Sequence, residues 1–80
     1  MKILRFTASW CGPCKALAKL LEENKTDIPI EVIDIDKNQE ASIYYGIRSV
    51  PVMIKQDSDG NEISRVVGLP NKDKLVEFLS

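Results

Sequence analysis

The sequence has no histidine and only two cysteines, Cys11 and Cys14, and this shortage removes whole classes of chemistry. Ser-His-Asp and Cys-His catalysis both need an imidazole, so neither is available. A structural zinc site needs four nitrogen or sulfur ligands, and two cysteines in one chain do not supply them. The pair of thiols is what remains as a source of reactivity.

Long apolar runs and an excess charge of one sign are also missing. No apolar run approaches the roughly 18 residues that a membrane span needs, and the stretch of residues 1–5 breaks off too soon to be a signal peptide. Lys and Arg number 11 against 12 Asp and Glu, so the formal charge is −1 and no broad field attracts phosphate. We therefore expect a cytoplasmic protein that binds neither membrane nor nucleic acid.

The length of 80 residues is that of one small domain, because domains usually run about 50 to 200 residues. Apolar residues make up 44% and charged residues 29% of the chain, which is typical of soluble globular proteins and argues against disorder. We expect residues 1–80 to form a single domain with a thin margin of stability.

Hydrophobic periodicity and turn-forming residues predict seven elements in the order strand, helix, strand, helix, strand, strand, helix. The predicted strands cover residues 2–7, 31–36, 52–56 and 62–67. The first helix begins at Pro13 and stops in the stretch 24–29, the second follows Asn38 and runs through Tyr45, and the last follows Asn71. The cluster at 57–61 predicts an antiparallel hairpin, and the helical crossover predicts that the first two strands are parallel. The fold class is α/β, with helices packed on one sheet.

Two cysteines separated by two residues at a helix start place both sulfurs on one turn, where they can form a reversible disulfide. Cys11 lies at or just before the first helical residue, where free N–H groups and the helix dipole favour a thiolate. We expect an exposed Cys11 to attack a substrate disulfide and a more covered Cys14 to resolve the mixed disulfide.

The neighbours of the two cysteines can support this chemistry. Gly12 permits close approach of a partner backbone, Pro13 stiffens the turn, and Trp10 adds an apolar surface. Simpler interpretations stay open: Trp10 as a core residue, Lys15 as a solvated helix residue, and the cysteines as inert thiols or as half of a zinc site completed by a dimer.

Three separated segments resemble the thioredoxin family. Residues 10–15, Trp-Cys-Gly-Pro-Cys-Lys, match the active-site sequence of the family. Residues 45–51, Tyr-Gly-Ile-Arg-Ser-Val-Pro, are similar to the segment that ends in a cis-proline packed against the active-site disulfide. Val-Val-Gly at 66–68, followed by 71–79, is similar to the glycine loop and final helix. The resemblance covers nearly all of the chain.

The resemblance implies a thioredoxin-like fold, a minimal βαβαββα core with a four-stranded mixed sheet and three helices. It also implies a monomeric protein-disulfide reductase whose redox-active Cys11–Cys14 disulfide is its only cofactor, with no metal. Its partners would be disulfide-containing proteins and, as electron donor, a flavin-dependent, NADPH-using thioredoxin reductase. The supporting residues implied around the cysteines are Trp10, Gly12, Pro13, Lys15 and Pro51. The implied substrate-binding residues are Trp10, the backbone of Val50, Pro51 and Gly68.

The cis assignment of Pro51 depends on the resemblance alone. Only about 5 to 6% of X-Pro bonds in folded proteins are cis, so the physics of the sequence by itself predicts a trans bond.

The sequence departs from the family pattern at two points. Family members usually carry a strand and a helix before the strand that here starts at Lys2. They also carry a buried Asp at the position of Arg5 and a buried Lys at that of Val32. An Arg cannot act as a base near neutral pH. Arg5 either lies near Cys14 and favours its thiolate, or keeps its head in water, or pairs with Asp34.

Two other functions remain open. A glutaredoxin-like protein recharged by glutathione is favoured by the short length and disfavoured by the Gly-Pro dipeptide between the cysteines. A binding subunit would use the same surface without redox turnover.

Overall fold

The structure, a computed structural model, describes residues 1–80 and has the predicted order of elements. Four strands form one mixed sheet that three helices cover. The elements are β1 (Lys2–Thr7), α1 (Gly12–Glu23), β2 (Ile30–Asp34), α2 (Gln39–Tyr44), β3 (Val52–Gln56), β4 (Glu62–Val67) and α3 (Lys72–Leu79). The predicted fold class is confirmed.

The strand order β2-β1-β3-β4 brings four chain segments to one edge of the sheet. β1 and β2 are parallel, so both end at this edge, where Thr7 pairs with Asp34. β3 is antiparallel to β1 and to β4, and its first residue, Val52, pairs with Phe6 on one side and Val67 on the other. The loops after β1, β2 and β4 and the loop before β3 therefore meet.

Alternation along β1 builds a core on each face of the sheet. Ile3 packs on the side of α1 and α3, with Leu17 and Leu75 in the same buried cluster. Leu4 and Phe6 pack on the other side, where residues around α2 cover them. β3 is buried along its whole length, as expected of a strand with covered faces and neighbours on both edges.

The predicted boundaries differ from the structure by one or two residues. β2 ends at Asp34 rather than at residue 36, because Asp34 Oδ1 accepts a hydrogen bond from the Asp36 N–H at 2.9 Å and turns the chain. α1 begins at Gly12, one residue before the predicted Pro13. α2 ends at Tyr44, with Tyr45 as its C-cap.

Candidate active site

Cys11 and Cys14 are joined by a disulfide at the start of α1, with their Cα atoms 5.3 Å apart. Cys11 is the N-cap of the helix, and its Sγ accepts a hydrogen bond from the Cys14 N–H at 3.1 Å. A sulfur in this position faces an N–H group that no helical carbonyl satisfies and the positive end of the helix dipole. The site therefore stabilises negative charge on Cys11 when the disulfide is reduced.

The expectation that Cys11 is exposed is wrong for this disulfide form. Cys11 is 4% exposed and Cys14 is 2% exposed, so both are buried. Together with Ala8 they form a small buried cluster against which Val50 packs. The loop before β3 covers the sulfurs, and sequence spacing along the helix contains no information about that loop.

Val50 and Pro51 form the wall next to Cys11. The Val50–Pro51 bond is cis. The family resemblance implied this bond, whereas the low frequency of cis X-Pro bonds predicted a trans one. The Val50 carbonyl oxygen lies 3.7 Å from Cys11 Sγ. The Val50 N–H donates to no backbone carbonyl, so this residue presents an unpaired backbone group beside the disulfide.

Gly68 lies in the same wall. Its N–H donates to the Pro51 carbonyl at 2.8 Å, which ties the loop after β4 to the loop before β3. Its φ of +87° is in the region that glycine adopts without the strain caused by a Cβ. Val67 and Leu69, on either side, are large exposed apolar residues. The predicted substrate-contact residues Val50, Pro51 and Gly68 are therefore brought together.

Trp10 lies at the surface beside the cysteines and is 67% exposed, so it is not a core residue. Its indole Nε1–H donates to Asp36 Oδ2 at 2.8 Å. Sequence reasoning missed Asp36, although a signal existed. The residues that follow parallel strands lie at one edge of the sheet, so Asp36 after β2 and Trp10 after β1 were bound to approach each other.

Gly12, Pro13 and Lys15 are exposed on the first turn of α1. A Cβ added at Gly12 would meet nothing within 4 Å, so the space above this residue is open to a partner. Pro13 occupies the first turn, where an N–H is not needed for helical bonding.

Arg5 is on the side of the other cysteine, Cys14. It lines a cleft of about 250 Å³ together with Cys14, Lys15 and Asp34. Of the alternatives open for Arg5, the ion pair with Asp34 is not formed, since the only ion pairs are Lys2–Glu31 and Glu62–Arg65. Burial lowers the pKa of the Arg5 guanidinium, yet an arginine remains charged at neutral pH.

Other features of the chain give no competing site. The largest cavity, about 490 Å³, lies at the C-terminal end of α1 and contains no cysteine. No group of three or more acidic or cysteine side chains is arranged to hold a metal ion. None of the three helices has the length and apolar content needed to cross a bilayer.

Comparison with known proteins agrees with this geometry. The family model described as Thioredoxin matches residues 1–80. Thioredoxin of Chlamydia trachomatis is 38% identical over 81 residues, spanning 98% of this chain and 78% of its own. Thioredoxin of Staphylococcus epidermidis is 37% identical over 83 residues, spanning 99% of this chain and 79% of its own. The structure of a mutant thioredoxin from Halobacterium salinarum superposes with a TM-score of 0.83 and 37% identity, over 96% of this chain and 69% of that one.

The chain belongs to the thioredoxin family. It is therefore a thiol-disulfide oxidoreductase, which confirms the predicted class of enzyme. Thioredoxins use their own redox-active disulfide as the cofactor, and here that disulfide is Cys11–Cys14. Membership of this family implies substrates that contain disulfides.

Proposed function

We propose that this thioredoxin works mainly as a reductant of protein disulfides, with Cys11 as the attacking residue and Cys14 as the resolving residue. The observation that supports this division most is the position of Cys11 Sγ, which accepts the Cys14 N–H at 3.1 Å at the start of α1. This hydrogen bond and the helix dipole favour the thiolate of Cys11, and the thiolate is the nucleophile in disulfide exchange.

The reaction has two exchange steps. The Cys11 thiolate attacks one sulfur of the substrate disulfide, whose S–S bond breaks; the other substrate sulfur leaves as a thiolate and takes a proton from water. The Cys14 thiolate then attacks Cys11 Sγ, so that the Cys11–Cys14 bond forms and the second substrate thiolate leaves. The protein is oxidised by two electrons and the substrate is reduced by two.

The groove beside Cys11 is the proposed substrate site. An extended substrate strand would pair with the Val50 backbone, whose N–H has no backbone partner. Pro51 and Gly68 would form the wall, and Trp10 would supply apolar contact. Gly12, Pro13 and Lys15 would support the active site, with Gly12 leaving room for the substrate backbone.

The remaining features of the proposal concern the setting of the reaction. Residues 1–80 act as one domain and as a monomer in the cytoplasm. A flavin-containing, NADPH-using thioredoxin reductase returns two electrons and two protons to the Cys11–Cys14 disulfide after each cycle.

The reduction potential of the Cys11–Cys14 couple tests this proposal, with thiol buffers setting the equilibrium. A value near about −270 mV supports a reductant recharged by an NADPH-linked reductase, whereas a value near about −200 to −230 mV favours recharging by glutathione. Turnover of a protein disulfide is then followed with each reducing system in turn. Faster recharging by glutathione than by thioredoxin reductase would contradict the proposed donor.

A Cys11→Ser, Cys14→Ser double variant tests the redox role as a whole. The proposal predicts that this variant loses all biological activity of the protein. Full activity of the double variant would instead identify a binding subunit that uses the same surface without electron transfer.

A further inference from the structure

The cleft beneath Cys14 contains a charge that the mechanism above does not use. Arg5 projects from β1 into the space between the sheet and α1, where it shares the cleft of about 250 Å³ with Cys14. It also lines an adjoining cavity of about 270 Å³ beside Glu22 and Lys25. Arg5 and Cys14 therefore line one cleft, to which neither Val50 nor Pro51 contributes.

The Arg5 side chain has no partner in the protein. Its Nε is buried and makes no hydrogen bond, the single buried side-chain polar atom in that condition. No carboxylate oxygen lies within 4.0 Å of an Arg5 nitrogen, since the two ion pairs of the protein are Lys2–Glu31 and Glu62–Arg65. Asp34, which lines the same cleft, directs Oδ1 to the Asp36 N–H instead. Arg5 is a half-buried cation without a counter-ion, which is costly to the fold. An anion that forms in the cleft would be stabilised by it.

We infer that Arg5 is a positioning residue that stabilises the thiolate of Cys14 in the resolving step. The inference depends on the proposed division of roles between the two cysteines. In the mixed disulfide, Cys14 loses its proton to water and attacks Cys11 Sγ; the bond between Cys11 and the substrate breaks, and the substrate leaves as a thiolate. The positive charge of Arg5 raises the fraction of Cys14 present as thiolate near neutral pH.

The other charges around Cys14 leave a positive balance. Arg5 on β1 and Lys15 on α1 face the cleft, opposed by Asp34 on β2. Glu22 and Lys25 of the adjoining cavity offset each other in sign. The wall formed by Val50 and Pro51 contributes no charge. Arg5 is the only one of these cations with a buried, unpartnered nitrogen, so its interaction with Cys14 is the least weakened by water.

Single-turnover reduction of a symmetric aromatic disulfide separates the two steps. Attack by Cys11 releases the first coloured thiolate, and resolution by Cys14 releases the second. Arg5→Met keeps the bulk of the stem without the charge, Arg5→Lys keeps the charge, and Arg65→Met is the control for loss of a distant cation. We expect Arg5→Met to slow the second release by about threefold at neutral pH, because a rise of one unit in the thiol pKa lowers the thiolate fraction about tenfold and raises the nucleophilicity of the remaining thiolate about threefold. We also expect the pH profile of the second release to move to higher pH in Arg5→Met.

The first release should change by less than about twofold in all three variants, since Cys11 faces the other wall. Arg5→Lys should restore most of the second release, and Arg65→Met should match the wild-type protein. An unchanged second release in Arg5→Met, or an equal loss in Arg5→Lys, would overturn the role of Arg5. A wild-type protein that releases no first thiolate would overturn the proposed function instead.

A titration that needs no turnover gives a second test. In a Cys11→Ser background Cys14 is the only thiol, and the ultraviolet absorbance of its thiolate reports its ionisation. Arg5→Gln replaces Arg5→Met if the latter does not fold. Ionisation at higher pH in the uncharged variant supports the inference, and coincident titration curves with and without the Arg5 charge contradict it.

Discussion

The two sulfurs of the disulfide face opposite environments. Cys11 faces an uncharged wall formed by Val50 and Pro51, with the Val50 carbonyl oxygen 3.7 Å from its Sγ. Cys14 faces a cleft lined by Arg5, with Lys15 and Asp34 as its other charged residues. The burial of the two residues is nearly equal, at 4% and 2%. Exposure therefore does not distinguish the proposed attacking cysteine from the proposed resolving one; helix position, backbone groups and charge do.

The different surroundings of Cys11 and Cys14 suit two different tasks, recognition of a substrate and control of a thiolate. The Cys11 side offers unpaired backbone and apolar surface, which suit recognition of an extended peptide. The Cys14 side offers fixed charge, which suits control of a thiolate. Each task can then be altered by substitutions on one side with little effect on the other.

The largest effect is expected from removing either sulfur. Cys11→Ser should abolish reduction of a protein disulfide, since no other thiol has the N-cap position. Cys14→Ser should still attack but accumulate the mixed disulfide with its substrate. Non-reducing electrophoresis and intact mass measure the adduct. Accumulation in Cys11→Ser in place of Cys14→Ser would reverse the assignment of roles.

A large effect on stability is expected on the Cys11 side at Gly68. Gly68→Ala places a Cβ on a backbone with φ of +87° and should lower the free energy of unfolding by about 1–2 kcal/mol. Urea denaturation measures the change. Gly12→Ala is the matched control, because its Cβ meets nothing within 4 Å and its φ is not positive; it should change stability by no more than about 0.5 kcal/mol. Equal losses of unfolding free energy in Gly68→Ala and Gly12→Ala would contradict this account of the wall.

The sequence predicted most of the fold because local chemistry sets its boundaries. Asn38 and Asn71 cap α2 and α3 as expected, each accepting an N–H three residues on. The strands β1, β3 and β4 have the predicted ranges. The end of β2 was predicted too late, because the hydrogen bond from the Asp36 N–H to the Asp34 side chain is not visible in a hydrophobic pattern.

The candidate site was less predictable wherever it depends on tertiary contacts. The motif identified Cys11 and Cys14 directly, and the resemblance supplied Pro51 and Gly68. The burial of Cys11 under the loop before β3 and the unpaired state of Arg5 depend on residues far apart in the sequence. Neither spacing nor composition contains that information.

A smaller and opposite effect is expected on the Cys14 side at Arg5. Arg5→Met removes a buried nitrogen without a hydrogen-bond partner and should raise the free energy of unfolding by about 1 kcal/mol, even though we expect it to slow resolution. Urea denaturation of this variant beside Arg65→Met measures the gain. A loss of stability in Arg5→Met would mean that Arg5 supports the fold, and it would weaken the contrast between the two sides.

The smallest effect is expected at Trp10. Trp10→Phe removes the hydrogen bond to Asp36 and part of the apolar surface, and we expect it to weaken substrate binding by about 0.5–1 kcal/mol. We expect KM for a protein disulfide to rise by about two- to fivefold, the equivalent of that energy, with little change for a small aromatic disulfide. Steady-state kinetics with both substrates measures the split. Equal losses with both would place the role of Trp10 in the chemistry rather than in recognition.

Alkylation of the reduced protein tests most directly the claim that the two sulfurs have different roles. A small, uncharged alkylating reagent is added below the thiol concentration at neutral pH, and peptide mass analysis measures modification at Cys11 and Cys14. The account predicts that Cys11 is modified at least about tenfold faster, because its sulfur occupies the helix N-cap, where the Cys14 N–H and the helix dipole favour its thiolate. Equal rates, or faster modification of Cys14, would contradict it.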